Sequence, residues 1–193
     1  MEEMAKVKKS PPPADSTAVE VIDRGVSRNY WIGIALSVVA MCYIFADSLS
    51  EKLVNQGDQA SSFTVTANDG KQYSIKDFHG KVLVLNFWAS WCKPCVDEMP
   101  SLNRFAAEMK DKGVTVLGIS VDHDEAKYKK FLKAANITFP VYHDPKADIS
   151  SSYGTYKYPE TYIIDKSGKV VEKIIGEKMW LDPEVIANVK RYL

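Results

Sequence analysis

Cys92 and Cys95 are the residues of this sequence whose type and spacing are best suited to chemistry. They lie in the run 88–95, Trp-Ala-Ser-Trp-Cys-Lys-Pro-Cys, which follows an apolar stretch and precedes a predicted helix. A cysteine at a helix N-terminus faces unpaired backbone N–H groups and the positive end of the helix dipole, and both favour the thiolate. We therefore expect Cys92 to attack a disulfide, and Cys95, one turn further, to resolve the resulting mixed disulfide.

Two other uses of this spacing stay open from the sequence. Zinc sites also use Cys-x-x-Cys pairs, but the remaining candidate ligands, Cys42 and the three histidines, are scattered along the chain. A purely structural disulfide is the second alternative, although it does not account for the strand–turn–helix placement or for the adjacent Trp91. We predict no metal site and no organic cofactor, so that the redox group is the Cys92–Cys95 disulfide itself.

The overall composition excludes several classes of protein. The chain has 193 residues, 46% of them hydrophobic, which is typical of a folded protein rather than a disordered one. Its formal net charge is zero, whereas nucleic-acid-binding proteins usually carry a basic surplus. We therefore predict no nucleic-acid partner.

An uncharged segment over 30–46 is predicted to cross a membrane. As a helix it would be about 26 Å long, the low end for a span, and its tyrosine and tryptophan residues lie near both ends. Arg24 and Arg28 precede the segment, and Asp47 and Glu51 follow it. The positive-inside rule then places the N-terminus in the cytoplasm and the chain from residue 47 outside it.

The anchor divides the chain into four predicted parts. Residues 1–29 are expected to form a disordered cytoplasmic tail, 30–46 the anchor, 47–58 a linker and 59–193 the catalytic domain. A cleaved signal peptide and a buried core helix are the alternatives for the anchor.

The pattern of apolar residues and turns predicts the elements of the domain. Strands are expected at 63–66, 72–74, 82–87, 114–120, 141–142, 161–164 and 169–175, and helices at 93–110, 124–135, 149–153 and 183–193. Strands alternate with helices through the middle, and the first two form a hairpin. This order implies an α/β or mixed three-layer sandwich with an added N-terminal β-hairpin.

Two motifs in this order resemble the thioredoxin-fold family. The run 87–95 is similar to its active site, and 158–161, Tyr-Pro-Glu-Thr, is similar to its cis-proline loop. The segments 95–100 and 158–165 further resemble the membrane-tethered, extracytoplasmic branch of TlpA, ResA and CcmG, thioredoxin-like proteins of cytochrome c maturation. The resemblance covers roughly residues 59–193 and implies a thioredoxin-like domain.

The resemblance implies roles for individual residues. Pro159 would be cis and adjacent to the cysteine pair, and Tyr158 would offer backbone groups to an extended substrate. Trp91 would contribute to the substrate-binding face. Glu98 would exchange a proton with Cys95, since it lies one turn further along the helix; the alternative is a solvated helix charge.

Three further positions affect the chemistry of the pair. Pro94 should stiffen the first helical turn, where a missing N–H is tolerated. Lys93 should tune the Cys92 thiolate through its charge, although an exposed lysine can leave it unchanged. Asn86 occupies the place where cytoplasmic thioredoxins carry a buried aspartate, so proton handling passes to Glu98, to water or to the partner.

These implications lead to a functional hypothesis. The protein is expected to be a protein thiol–disulfide oxidoreductase of the bacterial inner membrane, with its domain on the periplasmic or extracytoplasmic side. It would reduce disulfides of exported proteins such as apocytochrome c and be re-reduced by a membrane thiol electron donor. The alternatives are a thiol oxidase of the same fold, a metal-delivery module, for which the loop 156–159 lacks a histidine, and a peroxidase, which would need a threonine at Ala89.

Overall fold

The structure is a computed structural model that describes residues 28–49 and 53–193. The first unit contains helix α1, Arg28–Leu49, and its segment Arg28–Phe45 is long and apolar enough to cross a membrane by length and composition. The predicted anchor at 30–46 lies within this helix. The predicted disordered tail over 1–29 lies outside the described residues up to residue 27, whereas its last two residues, Arg28 and Asn29, belong to α1.

The second unit is built around a five-stranded sheet. Its strands are β3 (Val82–Trp88), β4 (Val114–Ser120), β5 (Val141–His143), β6 (Glu160–Ile164) and β7 (Val170–Ile175), in the order β5-β4-β3-β6-β7. Strands β3, β4 and β5 are parallel, whereas β6 and β7 are antiparallel to their neighbours. A separate antiparallel hairpin is formed by β1 (Thr64–Thr66) and β2 (Gln72–Ser74).

Four helices connect or follow these strands. They are α2 (Lys93–Met109), α3 (Glu125–Ala135), α4 (Asp148–Ser152) and α5 (Pro183–Lys190). A short 3₁₀ turn at Ile75–Phe78, which the sequence pattern did not predict, follows the hairpin. Helix α2 is followed by a second 3₁₀ turn, Lys110–Lys112, and by Gly113, whose φ of 85° is in the left-handed region that favours glycine.

An apolar cluster covers each face of the sheet, and the central strand β3 is therefore buried along its whole length. On one face, alternate residues of β3 pack with helices α2, α3 and α5; the cluster includes Val84, Trp88, Leu102, Phe105, Tyr128, Trp180 and Val189. On the other face, the remaining apolar residues of β3 pack with the hairpin and the segment around α4. This cluster includes Leu83, Leu85, Phe63, Val65, Phe78, Tyr153 and Tyr162. The three-layer α/β sandwich with an N-terminal hairpin, as predicted, is therefore the observed fold.

The start of the domain differs from the predicted boundary. Val54 is buried, and its N–H donates to the Tyr153 carbonyl at 3.2 Å. The Gly57 N–H donates to the Val170 carbonyl at 2.8 Å. The predicted linker over 47–58 therefore does not extend to residue 58, because backbone hydrogen bonds attach residues 54–58 to the domain.

Candidate active site

The end of strand β3 presents the cysteine pair at the start of α2. Cys92 is the N-cap of the helix, and its sulfur accepts the N–H of Cys95 at 3.3 Å. The two cysteines form a disulfide, with their Cα atoms 5.3 Å apart. Cys92 is 7% exposed and Cys95 is fully buried, so only Cys92 borders the solvent. This geometry suits attack by Cys92 and resolution by Cys95.

The two residues between the cysteines lie on the outside of the first helical turn. Pro94 occupies the second position of α2, where no intrahelical partner is required of its nitrogen. The Lys93 ammonium lies 2.7 Å from the Asp97 carboxylate, and this hydrogen bond raises the pKa of Lys93. The Lys93 charge is thus paired with the Asp97 charge one turn further along the exposed face. An effect of Lys93 on the Cys92 thiolate stays a prediction.

The cis-proline loop lies beside the turn that carries Cys92. The Tyr158–Pro159 peptide bond is cis, and the Pro159 carbonyl accepts the Gly176 N–H at 2.8 Å. The rings of Trp91 and Tyr158 meet edge to face, with their centroids 6.0 Å apart. Trp91 is 64% exposed and is therefore available to a docked substrate. The fold brings together the two motifs that the sequence singled out.

Glu98 is buried beneath the disulfide-bearing turn of α2 and is not the solvated charge of the alternative hypothesis. Its Oε1 accepts from Asn86 Nδ2 at 2.9 Å, and its Oε2 accepts the Lys178 N–H at 3.0 Å and Trp180 Nε1–H at 3.4 Å. Burial raises the pKa of Glu98 to about 7, although these hydrogen bonds oppose the shift. A carboxyl group that titrates near neutral pH, one turn from Cys95, can give or take a proton under physiological conditions.

Asn86 connects Glu98 to the strand that follows the cis-proline. Its side-chain amide donates both to Glu98 and to the Thr161 hydroxyl, each at 2.9 Å. This link exists because Asn86 and Thr161 are directly opposed in the β3–β6 register. A neutral amide therefore holds the Glu98 carboxyl in place without adding a second charge.

Glu160, immediately after the cis-proline, forms a buried ion pair that the sequence analysis missed. Its Oε1 lies 2.9 Å from Lys173 Nζ and accepts the Tyr162 hydroxyl at 2.6 Å. Glu160 is fully buried and the Lys173 side chain is 15% exposed. Since the two residues lie on neighbouring antiparallel strands, the pair ties the start of β6 to β7 next to the substrate loop.

Other residues of the site were also missed. Lys178 and Trp180 belong to the loop between β7 and α5, which carries no recognisable motif. Asp122 did have a detectable signal, because a polar residue two positions beyond the end of a buried parallel strand lies at the carboxyl edge of the sheet.

The exposed ring of Trp91 leads to a prediction about substrate binding. Trp91→Ala should raise the KM for a peptide disulfide about 5-fold with little change in kcat, since an aromatic contact contributes about 1 kcal/mol. Steady-state reduction of such a peptide measures both constants. Trp91→Phe, which keeps an aromatic ring beside Tyr158, is the matched control and should stay near the wild-type KM. An unchanged KM in the alanine variant would remove Trp91 from the substrate face.

Comparison with known protein families agrees with this geometry. The model of the AhpC/TSA family matches residues 56–173, well over half of the chain. The thiol-disulfide oxidoreductase ResA of Bacillus thuringiensis subsp. konkukian is 40% identical over 128 residues, which are 66% of this chain and 74% of that relative.

Solved structures show the same fold. A thiol:disulfide interchange protein of the thioredoxin family from Chlorobium tepidum matches with a TM-score of 0.61 and 28% identity, over 72% of this chain and 97% of its own. The exposed lipoprotein thioredoxin of Streptococcus pneumoniae matches with a TM-score of 0.60 and 31% identity, over 69% of this chain and 100% of its own. These similarities confirm the predicted thioredoxin-like fold.

Proposed function

The chain belongs to the AhpC/TSA family and is a thiol–disulfide oxidoreductase, and from this premise we propose that it reduces disulfides of exported proteins, apocytochrome c among them. The observation that carries the proposal is the arrangement of three groups at the start of α2. Cys92 borders the solvent, Cys95 is buried behind it, and the Glu98 carboxyl, with its pKa near 7, lies one turn further. The partner is a protein with a disulfide that reaches Cys92 beside the rings of Trp91 and Tyr158.

The proposed reaction balances without a metal or an organic cofactor. The Cys92 thiolate attacks one sulfur of the substrate disulfide, and the other substrate sulfur leaves as a thiolate. Cys95 then transfers its proton to the Glu98 carboxylate and attacks the Cys92 sulfur, which releases the second substrate thiolate. The substrate gains two electrons, and the enzyme is left with the Cys92–Cys95 disulfide seen in the structure.

The enzyme must then be reduced again, and we propose a membrane thiol protein as the donor. Helix α1 has the length and composition of a membrane span, which supports an anchored enzyme whose domain faces the extracytoplasmic side of the bacterial inner membrane. A dithiol donor in the same membrane would reverse the exchange at Cys92. The name of the pneumococcal relative, an exposed lipoprotein thioredoxin, is consistent with work outside the cytoplasm.

The direction of electron flow is tested by the reduction potential of the cysteine pair. We expect the full chain in detergent, equilibrated with glutathione or dithiothreitol buffers, to show a potential at or below about −230 mV, towards the value of thioredoxin. A potential near about −120 mV, as in a strong periplasmic oxidant, would instead identify a thiol oxidase. Alkylation of the free thiols followed by mass spectrometry measures the reduced fraction at each buffer ratio.

A further inference from the structure

Two buried aspartates at the edge of the sheet take no part in the proposed redox step. Asp122 follows β4 and Asp144 follows β5, and each is 2% exposed. A buried carboxylate is stable only where hydrogen-bond donors replace water. The donors to Asp122 lie in the cysteine turn and in β4, and the donors to Asp144 lie in helix α4. The cysteine turn and the cis-proline loop with α4 are here called the two walls of the site.

Asp122 holds the turn that carries Cys92. The Ser90 N–H lies 3.0 and 3.1 Å from its two oxygens, and the Ser90 hydroxyl donates to Oδ1 at 2.7 Å. The Ser120 hydroxyl donates to Oδ2 at 2.8 Å. Ser90 is two residues before Cys92, so these bonds fix the backbone that places the Cys92 sulfur over the N-terminus of α2.

Asp144 acts on the opposite wall through helix α4. Its carboxylate accepts the backbone N–H groups of residues 148–150 at 3.0 to 3.2 Å. The Ser150 hydroxyl then lies 2.9 Å from the Tyr158 hydroxyl. Because Tyr158 precedes the cis Pro159, Asp144 positions the loop that would pair with substrate.

The two aspartates belong to one connected network. The Asp144 N–H donates to the Ser120 carbonyl at 2.7 Å, while the Ser120 side chain donates to Asp122. His143 Nε2 lies 2.6 Å from the Asp122 carbonyl oxygen. The ends of two adjacent parallel strands are therefore hydrogen-bonded to each other and, through the two aspartates, to both walls.

We propose that Asp122 and Asp144 are positioning residues with separate effects: Asp122 controls the reactivity of the Cys92 sulfur, and Asp144 controls the binding of an extended disulfide substrate. The inference rests on the proposed function, in which Cys92 attacks a substrate held beside Tyr158. It assigns one buried carboxylate to each wall.

The direction of the change in Cys92 alkylation rate distinguishes a positioning role of Asp122 from a purely electrostatic one. A buried negative charge disfavours a nearby thiolate, so if Asp122 acted through charge alone, Asp122→Asn would speed alkylation of Cys92 at neutral pH. Loss of the hydrogen bonds to Ser90 instead makes the turn more mobile. The N-terminus of α2 then stabilises the Cys92 thiolate less. In reduced proteins that carry Cys42→Ala, we therefore expect Cys92 of Asp122→Asn to react with iodoacetamide about 5-fold more slowly than the wild type at pH 7, the effect of losing about one hydrogen bond.

Asp144→Asn should give the opposite pattern. Its reaction with iodoacetamide, a probe too small to need the cis-proline loop, should match the wild type. Its KM for a synthetic peptide with one Cys-x-x-Cys disulfide should rise about 5-fold, because Tyr158 is no longer held through α4.

Milder variants and a matched control complete the test. Ser90→Ala keeps the Asp122 charge and should slow alkylation, whereas Ser90→Thr keeps the hydroxyl and should restore the rate. Ser150→Ala should raise the peptide KM alone. Asp124→Asn is the control, since Asp124 accepts two backbone N–H groups at the start of α3 and holds neither wall.

The outcomes are distinguishable from a failure of the proposed function. Alkylation that is equal or faster in Asp122→Asn, an unchanged KM in Asp144→Asn, or the same losses in Asp124→Asn would each overturn the inference. A wild-type enzyme that does not reduce the peptide would contradict the proposed function, while the alkylation rates would still report the action of Asp122 on Cys92.

Discussion

Cys95→Ala should convert the enzyme into a covalent trap for its substrates. Cys92 can still attack a substrate disulfide, but the mixed disulfide has no second thiol to resolve it. Cys95 is fully buried, and alanine is small enough to replace it without overpacking. Expressed in cells, the variant should run on non-reducing gels as adducts that disappear after treatment with dithiothreitol.

The matched controls isolate the attacking sulfur. Cys92→Ser should reduce peptide-disulfide turnover to the uncatalysed rate, because a serine hydroxyl does not replace the thiolate in exchange. The double variant Cys92→Ser/Cys95→Ala should form none of the adducts. All variants should also carry Cys42→Ala, since Cys42 is a free, exposed thiol in α1 that would form unrelated disulfides.

Mass spectrometry of the adducts also tests the substrate class. Exported proteins with cysteine pairs, including apocytochrome c, are the expected partners. Adducts that persist in the double variant, or an absence of adducts from the cell envelope, would contradict attack by Cys92 on exported proteins.

The reactive turn was predictable because its signals are local. An apolar run, a cysteine pair and Pro94 specify a buried strand followed by a helix start, and the structure places β3 and α2 accordingly. The cis Pro159 was predicted from resemblance alone, since spacing and composition carry no such information.

The environment of Glu98 was not predictable in the same way. Its position one turn beyond Cys95 follows from helix periodicity, but its burial depends on donors from β3 and from the loop after β7. The contacts with Lys178 and Trp180 join residues about 80 positions apart. Such contacts depend on how the sheet and α5 pack, and no local pattern encodes them.

Glu98→Gln should slow resolution by Cys95 about 100-fold at pH 8 and remove the pH dependence near neutrality. In the proposed mechanism the Glu98 carboxylate accepts the Cys95 proton above its pKa of about 7, and below that value it is protonated and cannot. The wild-type rate should therefore rise through pH 7, whereas the variant should rise only as Cys95 itself deprotonates. Stopped-flow tryptophan fluorescence during single-turnover reduction of a peptide disulfide, from pH 5 to 9, measures this step.

The glutamine variant should fold, which keeps the experiment interpretable. Among the described residues, Asn86 Oδ1 is a buried acceptor without a hydrogen-bond partner. Rotation of the Asn86 amide would present this oxygen to the new side-chain N–H, while the glutamine oxygen continues to accept from Lys178 and Trp180. An identical pH profile in a folded Glu98→Gln protein would remove Glu98 from the mechanism.

The pH dependence of the free energy of unfolding is an independent measure of the titration of Glu98. The folded enzyme binds the Glu98 proton more tightly than the unfolded chain, since the pKa rises from 4.5 to about 7 on folding. The free energy of unfolding should therefore fall as pH rises from about 4.5 to about 7, by up to about 3 kcal/mol. Glu98→Gln should abolish this component in urea titrations of the oxidised protein. Agreement between the kinetic and stability profiles would assign both to one proton, because Cys95 does not titrate in the disulfide form and Glu98 titrates in both.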